Sequence, residues 1–290
     1  MVDFGEINSI LGIRVRRDKQ KGILFLDQAK YTTEVLRRFA METCNGVETP
    51  LNTSSKLSKS STNEGDVDFP YRAAIGSVMY LMLMTRPDLG AAIQILSRFM
   101  ESPDHTHWEA MKRVFRYISH TKDLGLKFQK IDNFELTGFC DSDWGGCVDT
   151  RRSTSGYVFM LGGAAVSWSS KRQATVAMSS CEAEYLAASH AAKESVWAMG
   201  LLREFGFNES KPVRIFSDSQ SAIKLVKNSV FHSRTKHIDI HTHFIRELVE
   251  NRSIEMIYIS TDFQVADSLT KGLPKSKTIF CREKMGVLSF

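Results

Sequence analysis

The chain has 290 residues, 42% of them hydrophobic and 24% charged, which is length for one large or two ordinary domains and enough to bury a core. A formal net charge of +5, spread over both halves, excludes a purely electrostatic polyanion binder, so any nucleic-acid site must come from local clustering. Five cysteines without C-x-x-C spacing exclude a disulfide framework and a zinc finger and point to a reducing compartment.

In chain order, residues 9–27 read as a hairpin, because ILGIRV and ILFLDQ are β-rich and the charged RRDKQKG separates them. A helix follows, roughly Ala29 to Met41. Thr53 to Asp68 is polar and aperiodic, the pattern of a flexible linker. From Tyr71 to His120 three helices are expected, with Pro87 and Pro103 at first helical turns. The last of them carries Lys112, Arg113 and Arg116 beside Trp108, Phe115 and Tyr117; the aromatics read first as core, and a phosphate-tracking face is the alternative.

A hinge near residues 130–133 leads to strand Glu135 to Cys140 and a hairpin from Thr154 to Ser169 turning at Gly162 and Gly163. A long helix from Ser180 to Phe205 follows, then strand Val213 to Ser217 and a short helix from Gln220. A helix near Ile238 to Val249, strand Ile254 to Ile259 and a final helix starting near Phe263 complete the set. Three antiparallel strands followed by alternating helices and strands predict a mixed α/β sheet. The opening MVDFGEINSILG lacks a secretory pattern, and the longest apolar run, Val78 to Met84, is too short for a bilayer. The expectation is a soluble intracellular protein, cytoplasmic or nuclear.

Acidic residues recur where these elements end or begin. Asp141 ends the first strand of the second half and Asp218 the fourth. Acids at the carboxyl ends of inner strands concentrate negative charge that a cation neutralises, although Asp also caps turns and helices. In SSCEAEYLAAS, Ser179 and Glu182 have capping-box spacing, which leaves Glu184, a turn inside the helix, as the better metal ligand. In YISTDFQVADSLTKGL, Thr261 and Gln264 fit a second box with Asp267 one turn inside; Asp262, in the first turn, is the alternative but suits the helix dipole. Magnesium fits such an all-oxygen set.

The order CDSDW, EAEY, SDSQSAI and VADSLTK resembles the ribonuclease H domain of copia-type LTR retrotransposon Pol polyproteins of plants. LGIRV with GILFLDQAKY, YRAAIGSVMYLM with TRPDL, and SRFMESP with HWEAMKRVFRY are similar to the segment joining reverse transcriptase to ribonuclease H, so the resemblance covers nearly the whole chain. It implies an α/β fold with a ribonuclease H-like mixed five-stranded sheet and flanking helices over residues 131–275. Ahead of this it implies a hairpin-plus-helices, connection-like reverse transcriptase fragment over residues 1–130, and behind it a C-terminal tail, 276–290.

By the same resemblance, Asp141, Glu184, Asp218 and Asp267 are the catalytic acids, holding two magnesium ions, with manganese as the alternative ion. Asp143 is a helper that reaches metal through water. The implied substrate is an RNA:DNA hybrid; local basic clustering nominates Lys171, Arg172, Arg234, Lys236 and His237 as its phosphate contacts, with Ser219 and Gln220 beside Asp218. The implied partners are the palm and fingers of the parent polyprotein's reverse transcriptase, with no membrane. A helical zinc pair at His237 and His241 fits less well than a basic surface, because only Asp239 stands near to complete it. No Y-x-D-D occurs, so polymerase activity is not expected, and residues 260–266 contain no histidine for the release step that cellular ribonucleases H often assign to one. An inactive remnant that binds nucleic acid or assembles without turnover is the alternative; a strand-transfer enzyme of the same superfamily lacks its H-H-C-C segment here.

Overall fold

The computed structural model describes residues 5–53, 57–59, 70–131, 134–207, 211–227 and 239–290, with the backbone alone for 239–243. Met1–Lys130 together with Gly272–Phe290 form one unit, and Ile131–Lys271 form a second. The linker expected at Thr53 to Asp68 falls mostly outside the described residues.

In the first unit, β1 (Ser9–Ile10), β2 (Ile13–Asp18) and β3 (Ile23–Asp27) form an antiparallel meander. Asp27 ends β3 fully buried, and three groups satisfy its carboxylate: Arg14 at 3.0 Å through two bonds, Arg16 at 3.3 Å, and the Ala29 amide at 3.0 Å. That last bond starts α1 (Ala29–Arg38), whose buried Thr32, Val35 and Leu36 have the spacing of one helical face. α2 (Tyr71–Met84) buries Tyr71, Ala74, Ile75, Val78 and Leu81 at the same period. Pro87 opens a 3-10 turn, Pro87–Leu89, that runs into α3 (Gly90–Leu96). Pro103 does not occupy a first turn as expected; Asp104 caps α4 (His105–His120) and forms a capping box with His107.

The aromatic reading of α4 as core holds, since Phe115 and Tyr117 are fully buried and Trp108 packs against the same cluster. Its cations are engaged within the unit: Lys112 with Glu109, Arg113 with the Thr49 hydroxyl at 2.7 Å and Arg116 with the Asn45 carbonyl at 2.7 Å. Deeper still, Arg86 forks onto Asp88 at 2.9 and 2.7 Å, Tyr117 donates to Asp88 at 2.8 Å, and Arg86 also reaches Thr121. Burial pushes the Asp88 carboxyl up, but Arg86 overcomes it and holds the group below the ordinary carboxylate value.

The sequence reading had no strand after α4, yet β4 (Gly125–Gln129) pairs with β3 from Ile23↔Gln129 to Leu26↔Leu126. Gly125 is required there: a Cβ would lie 2.3 Å from the Leu26 carbonyl oxygen.

In the second unit, β5 (Thr137–Asp143), β6 (Thr154–Leu161) and β7 (Ala164–Arg172) are antiparallel, and Gly162 and Gly163 turn β6 into β7 with φ of +58° and +79°. α5 (Ser180–Glu204), β8 (Val213–Ser217), α6 (Gln220–Lys227), α7 (Asp239–Glu250) and β9 (Ile254–Tyr258) follow. The sheet order is β7-β6-β5-β8-β9, with β5, β8 and β9 parallel. This is the mixed five-stranded α/β sheet that the resemblance implies. Its core lies under α5, whose buried Ala188, Ala191 and Ala192 belong to one apolar cluster with Cys140, Ile215 and Met256 of the strands.

Two expectations for the C-terminal part fail. No helix starts near Phe263; two 3-10 turns, Thr261–Phe263 and Ala266–Leu269, stand there instead. Residues 276–290 are no tail, because α8 (Lys275–Lys284) and β10 (Val287–Leu288) belong to the first unit and β10 pairs with β4, completing a five-stranded antiparallel sheet. Among the described residues no helix is long and apolar enough to cross a membrane.

Candidate metal centre

The site arises where two inner parallel strands part. β5 and β8 pair as far as Phe139↔Phe216, whose rings stack at 5.2 Å. Beyond that point β5 continues only against β6, through Asp141↔Gly156 to Asp143↔Thr154, while the chain after β8 turns into α6. Asp141 and Asp218 sit in the gap so made, and α5 brings Glu184 to it. One carboxylate oxygen from each of Asp141, Glu184 and Asp218 lies within 4.8 Å of the others.

Helix capping decides which glutamate reaches the gap. Ser179 accepts the Glu182 amide at 3.1 Å, and the Glu182 carboxylate turns back to the Met178 amide at 2.7 Å, one residue earlier than a standard box would take it. Glu184 Oε1 accepts the Ser142 amide at 3.3 Å, and its Oε2 is buried with no hydrogen-bond partner among the described residues. The Asp218 Oδ2 takes the Thr261 hydroxyl at 2.7 Å, and the Asp141 Oδ2 takes the Thr270 hydroxyl.

Burial raises the Asp141 carboxyl to about 7; Lys271 opposes this and Asp267 adds to it. Burial also raises Glu184, to about 9, reinforced by Asp141 and Asp218. Buried, mutually repelling carboxylates with an oxygen left unbonded are the donor set that a hard divalent cation fits, so the residues present suit a metal ion.

No protein-family model matches the chain. Over its whole length it is 43% identical to the retrovirus-related Pol polyprotein from transposon TNT 1-94 of Nicotiana tabacum, of which it covers 22%. Over 98% of its length it is 40% identical to the corresponding polyprotein from transposon RE2 of Arabidopsis thaliana, of which it covers 19%. The chain resembles a segment of the retrovirus-related Pol polyproteins of plant LTR retrotransposons. It spans about a fifth of the length of these relatives. Among solved structures it is similar to LC11 ribonuclease H1, isolated from compost by a metagenomic approach, with 16% identity over 47% of this chain and 92% of that one and a TM-score of 0.37.

The remaining expected site residues of this Pol segment fall differently. Asp267, buried on the Ala266–Leu269 turn, stands beside Asp141 but outside the three-acid group, its Oδ1 held by Lys271 Nζ at 2.5 Å. Asp143 also lies outside that group; its carboxylate accepts the Thr154 amide across the β5–β6 ladder, a turn-closing role the sequence did not signal. The Ser219 hydroxyl accepts the Ala222 amide at 3.2 Å and so caps α6. Gln220 is exposed, as is Lys171 near the end of β7, while Arg172 beside it reaches Cys147 Sγ at 4.0 Å. Arg234, Lys236 and His237, together with His232, lie outside the described residues, as do the side chains of His241 and His243.

Sequence reasoning missed Lys271, whose Nζ is also 3.6 Å from Asp141 Oδ2. Its spacing of four from Asp267 was the available signal. Burial lowers the Lys271 pKa, but Asp141 and Asp267 outweigh that and raise it above the ordinary lysine value. Gln264 was read as half of a capping box with Thr261. It is instead fully buried, donating to the Cys140 carbonyl at 3.0 Å and accepting the Ala266 amide at 3.2 Å, which fastens the Asp267 segment to β5.

Proposed function

We propose that residues 131–271 hydrolyse the RNA strand of an RNA:DNA hybrid within a retrotransposon's reverse-transcription machinery. The observation that carries this reading is the convergence of Asp141, Glu184 and Asp218 within 4.8 Å at the point where the parallel strands part. Asp141, Glu184 and Asp218 would hold magnesium, or manganese in its place, and Asp267 would join them only by giving up its Lys271 contact. When bound, such an ion activates water at neutral pH and stabilises the leaving 3′ oxygen.

The chain's own contribution is placement. The Ser142 amide fixes one Glu184 oxygen and the other is left buried without a hydrogen bond, while the Thr261 and Thr270 hydroxyls orient Asp218 and Asp141. Exposed Lys171 and Gln220 are available to phosphates, and hybrid selectivity would rest on 2′-hydroxyl contacts and duplex shape. Residues 1–130 fit the role of a connection-like reverse transcriptase segment that meets the polyprotein's palm and fingers.

The deciding experiment is cleavage of a labelled hybrid by the wild type and Asp218→Asn, with and without magnesium, at one fixed salt concentration. The wild type cleaves only with metal, and the variant binds hybrid without cleaving it, because phosphate contacts supply most of the affinity. A wild type that binds hybrid and never cleaves it would make this a binding module without turnover.

A further inference from the structure

We infer that Lys271 is a built-in cation of the acidic centre, its ammonium occupying the Asp141–Asp267 side so that the site takes one divalent ion rather than two. The inference rests on the reading of Asp141, Glu184 and Asp218 as ligands, and it gives a positioning role to the lysine that closes VADSLTK.

The placement is exact in the backbone as well as in the side chain. Both acids that Lys271 serves are 2% exposed, so whatever charge they carry is stabilised by an ammonium this near. Nζ lies 2.5 Å from Asp267 Oδ1 and 3.6 Å from Asp141 Oδ2. A magnesium ion bridging the same two carboxylates would need both oxygens at about 2.1 Å, in space the ammonium already fills.

The backbone that carries the lysine is anchored beside the acids, while its side chain is 42% exposed. The Lys271 and Thr270 amides both bond the Asp267 carbonyl at 3.2 Å, and the Thr270 hydroxyl reaches Asp141. Gly156, the Cα partner of Asp141 on β6, has no side chain and so lets Leu269 and Thr270 pack directly on the strand; a Cβ there would meet each at 2.8 Å. The ammonium is thus carried to the acids by a segment that the sheet itself seats. Asp141 is shared between the two sides: one of its oxygens lies 3.6 Å from the ammonium, and it also belongs to the three-acid group with Glu184 and Asp218.

The test counts ions without substrate. Manganese is titrated into the full chain and free ion is followed by electron spin resonance, with calorimetry in parallel, for the wild type, Lys271→Arg and Lys271→Met. The expected result is one ion per chain for the wild type and Lys271→Arg, and a second ion at least ten-fold tighter in Lys271→Met than any second ion in the wild type. The metal-free Lys271→Met protein should also melt lower and recover on adding manganese. Two ions of similar affinity in the wild type, or one ion in Lys271→Met, would overturn the inference while leaving the ligand reading intact. No ion in the wild type would overturn the ligand reading and this inference with it. Should Lys271→Met not fold, the wild-type and Lys271→Arg counts still decide between one ion and two.

Discussion

Asp141 and Asp218 occupy matching positions on neighbouring parallel strands, each two residues past the last shared pair, Phe139↔Phe216. Parting of the strands there leaves both carboxylates at the edge of one gap, without a ladder partner between them. Strands that stayed paired would have placed these residues in the sheet, and strands that parted earlier would have spread them.

The two glutamates of α5 separate stability from chemistry. Glu182→Ala removes the bond to the Met178 amide and should cost about 1 kcal/mol, as loss of a cap does, with cleavage retained. Glu184→Gln keeps the shape and removes a carboxyl whose ionisation burial and its acidic neighbours penalise, so thermal stability without metal should hold or rise. Cleavage should drop by more than the roughly 100-fold that losing an outer partner of a metal ligand costs. Thermal melts and hybrid cleavage on both variants check this, and reversed phenotypes would exchange the two roles.

Stability without metal should fall as pH rises from about 4 to about 9. Glu184 is raised from 4.5 to about 9 and Asp141 from 3.8 to about 7, so across that range the native state holds protons that the unfolded state has lost. Linkage then gives a negative slope of unfolding free energy with pH. Saturating magnesium displaces those protons and should flatten the slope. Urea midpoints at pH 5, 7 and 9, with and without magnesium, measure it; a rising metal-free profile would show that both acids are already ionised in the native protein.

Gly156→Ala should loosen the centre without touching a carboxylate. The added methyl meets Leu269 and Thr270 at 2.8 Å, so the segment bearing Asp267 and Lys271 must shift. Overpacking of this kind costs about 1–3 kcal/mol, and manganese affinity should fall with it. Gly163→Ala serves as the comparison, since a Cβ there meets nothing within 4 Å and only the φ of +79° resists it. Metal titration of both variants distinguishes packing from turn strain.

In the first unit, Asp88→Ala should cost about 3–5 kcal/mol, because it strands the buried Arg86 guanidinium. Replacing both partners, Arg86→Met with Asp88→Ala, should recover part of the loss, since no unpaired charge then remains. Urea unfolding of the single and double variants tests the coupling; equal losses would mean that Thr121 and Tyr117 satisfy each partner alone.

What could be read in the sequence was what neighbours in the chain decide. The Ser179–Glu182 cap leaves Glu184 facing the gap by spacing alone, the turn at Gly162 and Gly163 follows from residues that accept positive φ, and β8 ends at Ser217 where apolar alternation stops. The end of an apolar run marked Asp141 and Asp218 for the same reason, although β5 itself continues past Asp141 to Asp143.

Tertiary structure alone decided the rest, because it depends on pairing between distant segments. β4 and β10 are short, and pairing with β3 and with each other defines them as strands. Gln264 is drawn out of its expected cap by the buried Cys140 carbonyl, which has to be satisfied, and the helix expected there gives way to 3-10 turns. Asp267 and Lys271 are four apart in the chain, but only the packing of their turn against β5 and β6 brings the lysine within 3.6 Å of Asp141 and makes it part of the acidic centre. Local spacing nominates charged residues, and burial against a partner strand settles which charges must neutralise one another.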